Sequence, residues 1–200
     1  MYGLLLESPF LFLTVAACLV ISLTIHEFSH AYVADLLGDP TARYLGRVSF
    51  NPLRHLDPVG TLLLLLVGFG WGKPVPFDAT NLRDPKRDGA LIALAGPASN
   101  VLLALLVSLC VWGFAFTGVL YAVLRLIVMF NLMLAVFNML PIHPLDGFKV
   151  VYGILPSSLG VQWVALAPYG IYILLLLLVT RTFSFIVTPF VAVLMGFMGF

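Results

Sequence analysis

The chain has 200 residues, of which 62% are hydrophobic and 10% charged, with a net charge of +1. A soluble domain carries about 25% charged residues, and at a mean hydropathy of +1.10 this chain lacks the polar surface to cover a globule in water. A soluble enzyme, a disordered tail and a nucleic-acid binder are excluded, and the composition is that of a small multi-pass membrane protein.

No Lys or Arg precedes the first apolar run, only Glu7, which argues against a cleavable signal peptide. The first predicted span starts at Ser8-Pro9, a residue fit to cap a helix followed by proline at its first position. It continues to Leu37, where Gly38 and Pro40 are stop signals. At about 29 residues and roughly 43 Å it is longer than the hydrocarbon core, so its end should emerge from the bilayer. Cys18, inside this run, and Cys110, in the next, have no second cysteine nearby and read as inert thiols.

A long loop follows, and within it residues 59–72 read VGTLLLLLVGFGWG. A stretch of about 14 apolar residues cannot span as a helix, so a re-entrant or interfacial segment is expected. Its glycines and the following Lys73-Pro74-Val75-Pro76 argue against a regular helix and leave two readings open, an extended β-hairpin dipping into the bilayer or a loop resting at the interface. Residues 89–124 are uncharged and fit either one long helix or a span over about 90–112 with a turn near Gly113 and Gly118. Further spans are expected over about 121–140, ending at Pro141, and over 161–180 and 182–200, separated by Arg181. The predicted fold is an all-α membrane bundle of about five spans in a single domain over 1–200. Its catalytic core covers about 9–155, with C-terminal helices over about 161–200.

Seven of the ten Lys and Arg residues lie between the first two spans: Arg43, Arg47, Arg54, Lys73, Arg83, Lys86 and Arg87. The positive-inside rule therefore puts loop 38–89 on the cytoplasmic side and the N-terminus outside. The first and third spans then end at the same face of the membrane.

His26-Glu27-Phe28-Ser29-His30 is an HExxH motif on a predicted helix. Spacing of i, i+4 brings both imidazoles to one face, where they can bind one zinc ion, and Glu27 can act as general base on a water. Three ionisable side chains inside a membrane helix are seldom tolerated without function. A third ligand is needed, commonly a carboxylate. Asp35 falls about half a turn off the metal face, and Asp39, Asp57, Asp78, Asp84 and Asp88 belong to the charged loop. Asp146 lies in the otherwise apolar run Asn138-Met139-Leu140-Pro141-Ile142-His143-Pro144-Leu145-Asp146-Gly147, on the membrane face where His30 is expected. Context and topology both favour it.

These residues resemble the site-2 protease family of membrane-embedded zinc metalloproteases. The resemblance rests on HEFSH, on the N-x-x-P-x-x-P-L-D-G pattern, on Gly96-Pro97-Ala98-Ser99-Asn100 and on the loop sequence GWGKPVP, spanning about residues 26 to 147. It implies one zinc per chain held by His26, His30 and Asp146, with Glu27 as the catalytic glutamate. Asn100 and Asn138 match asparagines near such a site, as substrate or oxyanion contacts; as plain membrane asparagines they would serve helix packing. Gly96-Pro97 is assigned to close helix approach and a kink. His143 stands where the family often has proline and is read, with His55, as structural. The expected short form carries no PDZ-like or nucleotide-binding regulatory domain, so substrate selection falls to the core, the loop or a separate regulatory or adaptor protein. The resemblance implies hydrolysis of peptide bonds in or near transmembrane segments of membrane-protein substrates, in a prokaryotic cell membrane. The alternatives are a non-proteolytic zinc-binding or metal-transport protein, which would not require Glu27, and a non-catalytic protein that binds transmembrane helices.

Overall fold

A computed structural model describes residues 2–67, 70–180 and 182–200. A short helix α1 (Tyr2–Glu7) leads into α2 (Pro9–Leu36), whose N-cap Ser8 accepts a hydrogen bond from the Leu11 N–H and whose first residue is Pro9. The chain leaves α2 through Gly38, at a φ of 106° that only glycine adopts without strain. The loop then holds α3 (Thr41–Tyr44) and α4 (Pro58–Val67). Asp84 caps α5 (Pro85–Phe114) by accepting from the Lys86 and Arg87 N–H groups, with Pro85 at the first helical position. Because the next helix begins only at Gly118, the uncharged run 89–124 takes the second expected form, a span followed by a turn, and its first part is α5. It passes through Pro97 and stops at Ala115, which takes a left-handed turn at φ 47°. The rest is α6 (Gly118–Asn138), α7 (Asp146–Ile154), α8 (Ser157–Val164), α9 (Ala167–Val179) and α10 (Thr182–Phe197).

Helix α5 is the centre of the assembly, packed against α2, α6 and α7, while α6 also meets α2 and α10. Small residues permit the close approach: Ala31 and Ala34 on α2 and Ala104 and Ser108 on α5 are fully buried. Leu, Phe and Trp side chains such as Leu13, Leu102 and Trp112 face outward, as lipid contact requires.

Two sequence expectations need correction. Among the described residues three helices, α2, α5 and α6, have the length and apolar character to cross a membrane, or four spans if the bent pair α8 and α9 counts as one; five are not found. The run 161–180 is broken by a 57° bend between α8 and α9. Pro168 opens the new helix, and Gly170 lies so close to the His143 carbonyl that a Cβ would sit 2.2 Å from its oxygen. Helix α10 has 16 residues, about 24 Å of helix against a hydrocarbon core of about 30 Å. Arg181, taken to separate the last two spans, lies outside the described residues.

The second correction concerns the loop. Residues Pro58–Val67 form helix α4 rather than a strand. Proline at its start, five consecutive leucines and Asp57, whose carboxylate accepts from the Gly60 N–H at 2.8 Å, all favour a helix. Gly68 and Phe69, at the expected hairpin tip, lie outside the described residues. What remains of a hairpin is one isolated antiparallel bridge, Leu56 with Gly72, extended by the Lys73 N–H bond to the His55 carbonyl at 2.8 Å.

Buried polar residues hold this loop. Asp39 is fully buried and accepts from Thr41 N at 3.2 Å, Thr41 Oγ1 at 2.6 Å, Asp78 N at 2.8 Å and Asn81 Nδ2 at 2.8 Å. Burial raises its pKa, yet these bonds outweigh burial and hold the carboxyl below its ordinary value. His55, also fully buried, donates from Nε2 to the Ser49 carbonyl at 2.7 Å. Burial pushes its pKa down and keeps the ring neutral.

Candidate metal centre

One helical turn apart on α2, His26 and His30 both turn toward α5 and are 3% and 7% exposed. Their Nε2 atoms lie 3.0 Å apart. Asp146, the first residue of α7, places Oδ2 at 3.1 Å from His26 Nε2 and 3.2 Å from His30 Nε2. The loop ending at Leu145 can fold back so tightly because residue 147 is glycine: a Cβ there would sit 2.3 Å from the Met139 carbonyl oxygen.

The other ring nitrogens decide where the protons are. His30 Nδ1 donates to the Ile92 carbonyl at 2.7 Å, and His26 Nδ1 donates to Asn100 Oδ1 at 2.7 Å. With Nδ1 protonated in both neutral rings, each Nε2 presents a lone pair. Asp146 Oδ2 is buried without a hydrogen-bond partner. Three lone pairs therefore converge within 3.2 Å with no proton between them, an arrangement that repels itself unless a cation binds all three. Zinc bonds of about 2.0–2.1 Å in tetrahedral geometry separate ligand atoms by about 3.3 Å. The donor set of two imidazoles and one carboxylate, leaving a fourth position open, fits zinc.

Gly96 on α5 completes the space. A Cβ built there would lie 2.4 Å from His30 Nε2 and 2.7 Å from His26 Cε1. Its sequence assignment to helix packing was incomplete, because the missing side chain is what leaves room for the two imidazoles.

Glu27 is 9% exposed and lines the same cavity as the three converging residues, a space of about 360 Å³. The cavity is bounded by Trp71, Pro74 and Val75 of the loop, by Phe137 on α6 and by Leu174 on α9. Arg47, counted in the sequence only toward orientation, lies behind Glu27 and is buried, with Nη2 3.9 Å from the carboxylate. Its guanidinium also donates to the Lys73 and Pro74 carbonyls, tying the loop segment over the cavity to the glutamate. Lys149, one turn along α7 from Asp146, lines the cavity and rests over the Phe77 ring.

The two asparagines separate. Asn138 lines the cavity and donates to the Leu134 carbonyl of its own helix at 2.9 Å. Asn100 is fully buried behind His26, bonded to its Nδ1, and is not on the cavity wall. His55 and His143 stand apart from the three-residue cluster, His143 with its ring edge on Phe148. Asp35 pairs with Arg43.

Fold and site together define an all-helical protein, with apolar helices fit to cross a membrane, built around a centre suited to zinc. The chain is 38% identical over 190 residues to "Putative zinc metalloprotease YwhC" of Bacillus subtilis (strain 168), covering 90% of this chain and 85% of that protein. It is 33% identical over 181 residues to "Putative zinc metalloprotease Rip2" of Mycolicibacterium smegmatis, covering 84% and 68%. Against the protein of the same name from Mycobacterium tuberculosis H37Rv it is 31% identical over 148 residues, covering 70% and 56%. No family model and no solved structure matches the chain. The chain belongs to the zinc metalloprotease family that these relatives represent.

Proposed function

We propose that this metalloprotease is an intramembrane enzyme of the site-2 type, hydrolysing peptide bonds in or near transmembrane segments of membrane-protein substrates. The observation that carries the proposal is that Glu27 and the three converging ligand atoms share one cavity among long apolar helices. His26, His30 and Asp146 would hold the zinc ion, which when bound would supply Lewis-acid activation of a carbonyl and of water. Glu27 takes the proton of the attacking water on its carboxylate and returns it to the leaving amine nitrogen. The apolar walls at Phe137, Leu174 and Val75 receive the flanking side chains of an unwound substrate and keep bulk water out.

A substrate helix must open locally, since its peptide bonds are shielded by its own hydrogen bonds. The loop segment beyond Gly70 offers an edge for the extended chain. The Lys73 N–H and the Lys73 and Pro74 carbonyls are already engaged, and Val75, between two prolines and on the cavity wall, is the residue offered for pairing. In this reading loop 38–89 and the zinc site lie toward the cytoplasm, a placement that the clustering of Lys and Arg supports.

The test incubates the purified protein with a panel of single-span membrane substrates and compares wild type, Glu27→Gln and chelator-treated protein. Glu27→Gln is expected to keep its zinc and lose at least about a hundredfold in rate, and chelation to abolish cleavage. Cleavage that survives both would overturn the proposal.

A further inference from the structure

Asn131, in the middle of α6, belongs to neither the cavity nor the ligand set and is fully buried. Its surroundings form a chain of hydrogen bonds whose directions are all forced. Backbone carbonyl oxygens only accept. The Asn131 atom 2.8 Å from the Ile127 carbonyl must therefore be Nδ2, which leaves Oδ1 facing Asn100 at 2.7 Å. The Asn100 atom 3.0 Å from the Ser22 carbonyl must likewise be Nδ2, so both of its protons are placed, one on Ser22 O and one on Asn131 Oδ1. Ser22 Oγ spends its own proton on the Cys18 carbonyl at 2.8 Å and is left to accept from Asn131 Nδ2 at 2.8 Å.

Only Asn100 Oδ1 then remains, and it faces His26 Nδ1 at 2.7 Å. An acceptor at that point demands a proton on Nδ1 and so a lone pair on Nε2. The same network with Asn100 turned over would set its oxygen against the Ser22 carbonyl and its amide nitrogen against His26, favouring the tautomer that cannot bind a metal through Nε2. His30 needs no such relay, because the Ile92 carbonyl fixes its proton directly.

We infer that Asn131 is a positioning residue of the zinc site. With Ser22 it locks the amide of Asn100 and, through it, the metal-binding tautomer of His26. The inference rests on the zinc reading above.

The test measures zinc affinity of the full-length, detergent-purified chain by competition with a chelator, together with thermal unfolding with and without zinc. Asn131→Leu, which removes both amide groups, is expected to weaken zinc binding about tenfold and to shrink the rise in Tm that zinc produces. If Asn131→Leu does not fold, Asn131→Ser, too short to reach Asn100, carries the same expected loss. A residue with a merely structural role would lower Tm equally with and without zinc and leave the affinity unchanged. Zinc affinity within twofold of wild type in the folded Asn131→Leu or Asn131→Ser variant overturns the inference. A wild-type chain that binds no zinc would instead overturn the zinc reading itself.

Discussion

Asn131 and Leu132 are neighbours on α6, both fully buried, and they face two different seams. Asn131 turns to α2 and α5 and joins a polar network that ends on His26. Leu132 belongs to a dry cluster with Val128, Ala104 on α5 and Val187, Val191 and Met195 on α10. In water both seams would be drawn together by burial alone. In lipid an apolar side chain is as well solvated by acyl chains as by another helix, so the dry seam contributes fit and little direction. The polar seam is different: an amide without a partner in hydrocarbon is costly, so only one register of the helices is tolerated. The site is built where the register is fixed by hydrogen bonds, and the remaining contact area is supplied by the apolar seam.

The largest expected effect strikes the polar seam at its narrowest point. Gly96→Ala sets a Cβ 2.4 Å from His30 Nε2, and zinc affinity is expected to fall by about a hundredfold, the upper end of what a change around a metal ligand produces. Gly113→Ala on the same helix is the control, since its Cβ would meet nothing within 4 Å. Chelator competition on the two variants checks the difference, and equal affinities would remove the steric account of Gly96.

Breaking the dry seam should give the opposite pattern. Leu132→Ala is expected to cost about 1–2 kcal/mol of stability, the cavity term alone in lipid, measured as a lower unfolding midpoint, while zinc affinity stays within about twofold of wild type. Residues 131 and 132 would then report stability and metal binding separately from adjacent positions. A parallel loss of zinc in Leu132→Ala would show that the two seams are one cooperative unit.

Much of the polar seam was legible in the sequence, because residues that converge on one point from one helix follow a local rule. HEFSH fixes two imidazoles on one helical face by spacing alone, and Asp146 stood out as a carboxylate in an apolar run. Gly96, Arg47 and Asn131 were not legible as site residues. Gly96 matters through a Cβ it lacks, Arg47 looked like one of seven loop cations, and Asn131 acts two residues removed from the metal. A signal existed for Asn131, as a lone amide inside an uncharged span, but its partners come from helices far away in sequence. The apolar C-terminal half was misjudged for the converse reason. Uniform hydropathy conceals a break, and Pro168 with the Gly170 to His143 contact bends what composition presents as one span. The loop misled in the same way, since the five leucines of α4 favour a helix that its flanking glycines hide.

The smallest expected effect lies outside both seams, in the loop that closes over the cavity. Asp39 joins the start of that loop to Asp78 and Asn81 near its end. Its carboxyl is held below the ordinary value in the folded state, so the folded chain favours the ionised form more than the unfolded chain does. The stabilisation is therefore fully present above the unfolded value of about 3.9 and is lost as pH falls through the lower folded value. Unfolding midpoints of the metal-free protein should fall by a few degrees more on acidification below about pH 4 in wild type than in Asp39→Asn. At neutral pH Asp39→Asn should be the less stable protein, because an amide accepts through only one oxygen where the carboxylate accepts four bonds through two. Zinc affinity should be equal in the two, since Asp39 touches neither seam. A variant that lost zinc as well would mean that the loop, and not the helices alone, holds the metal centre in register.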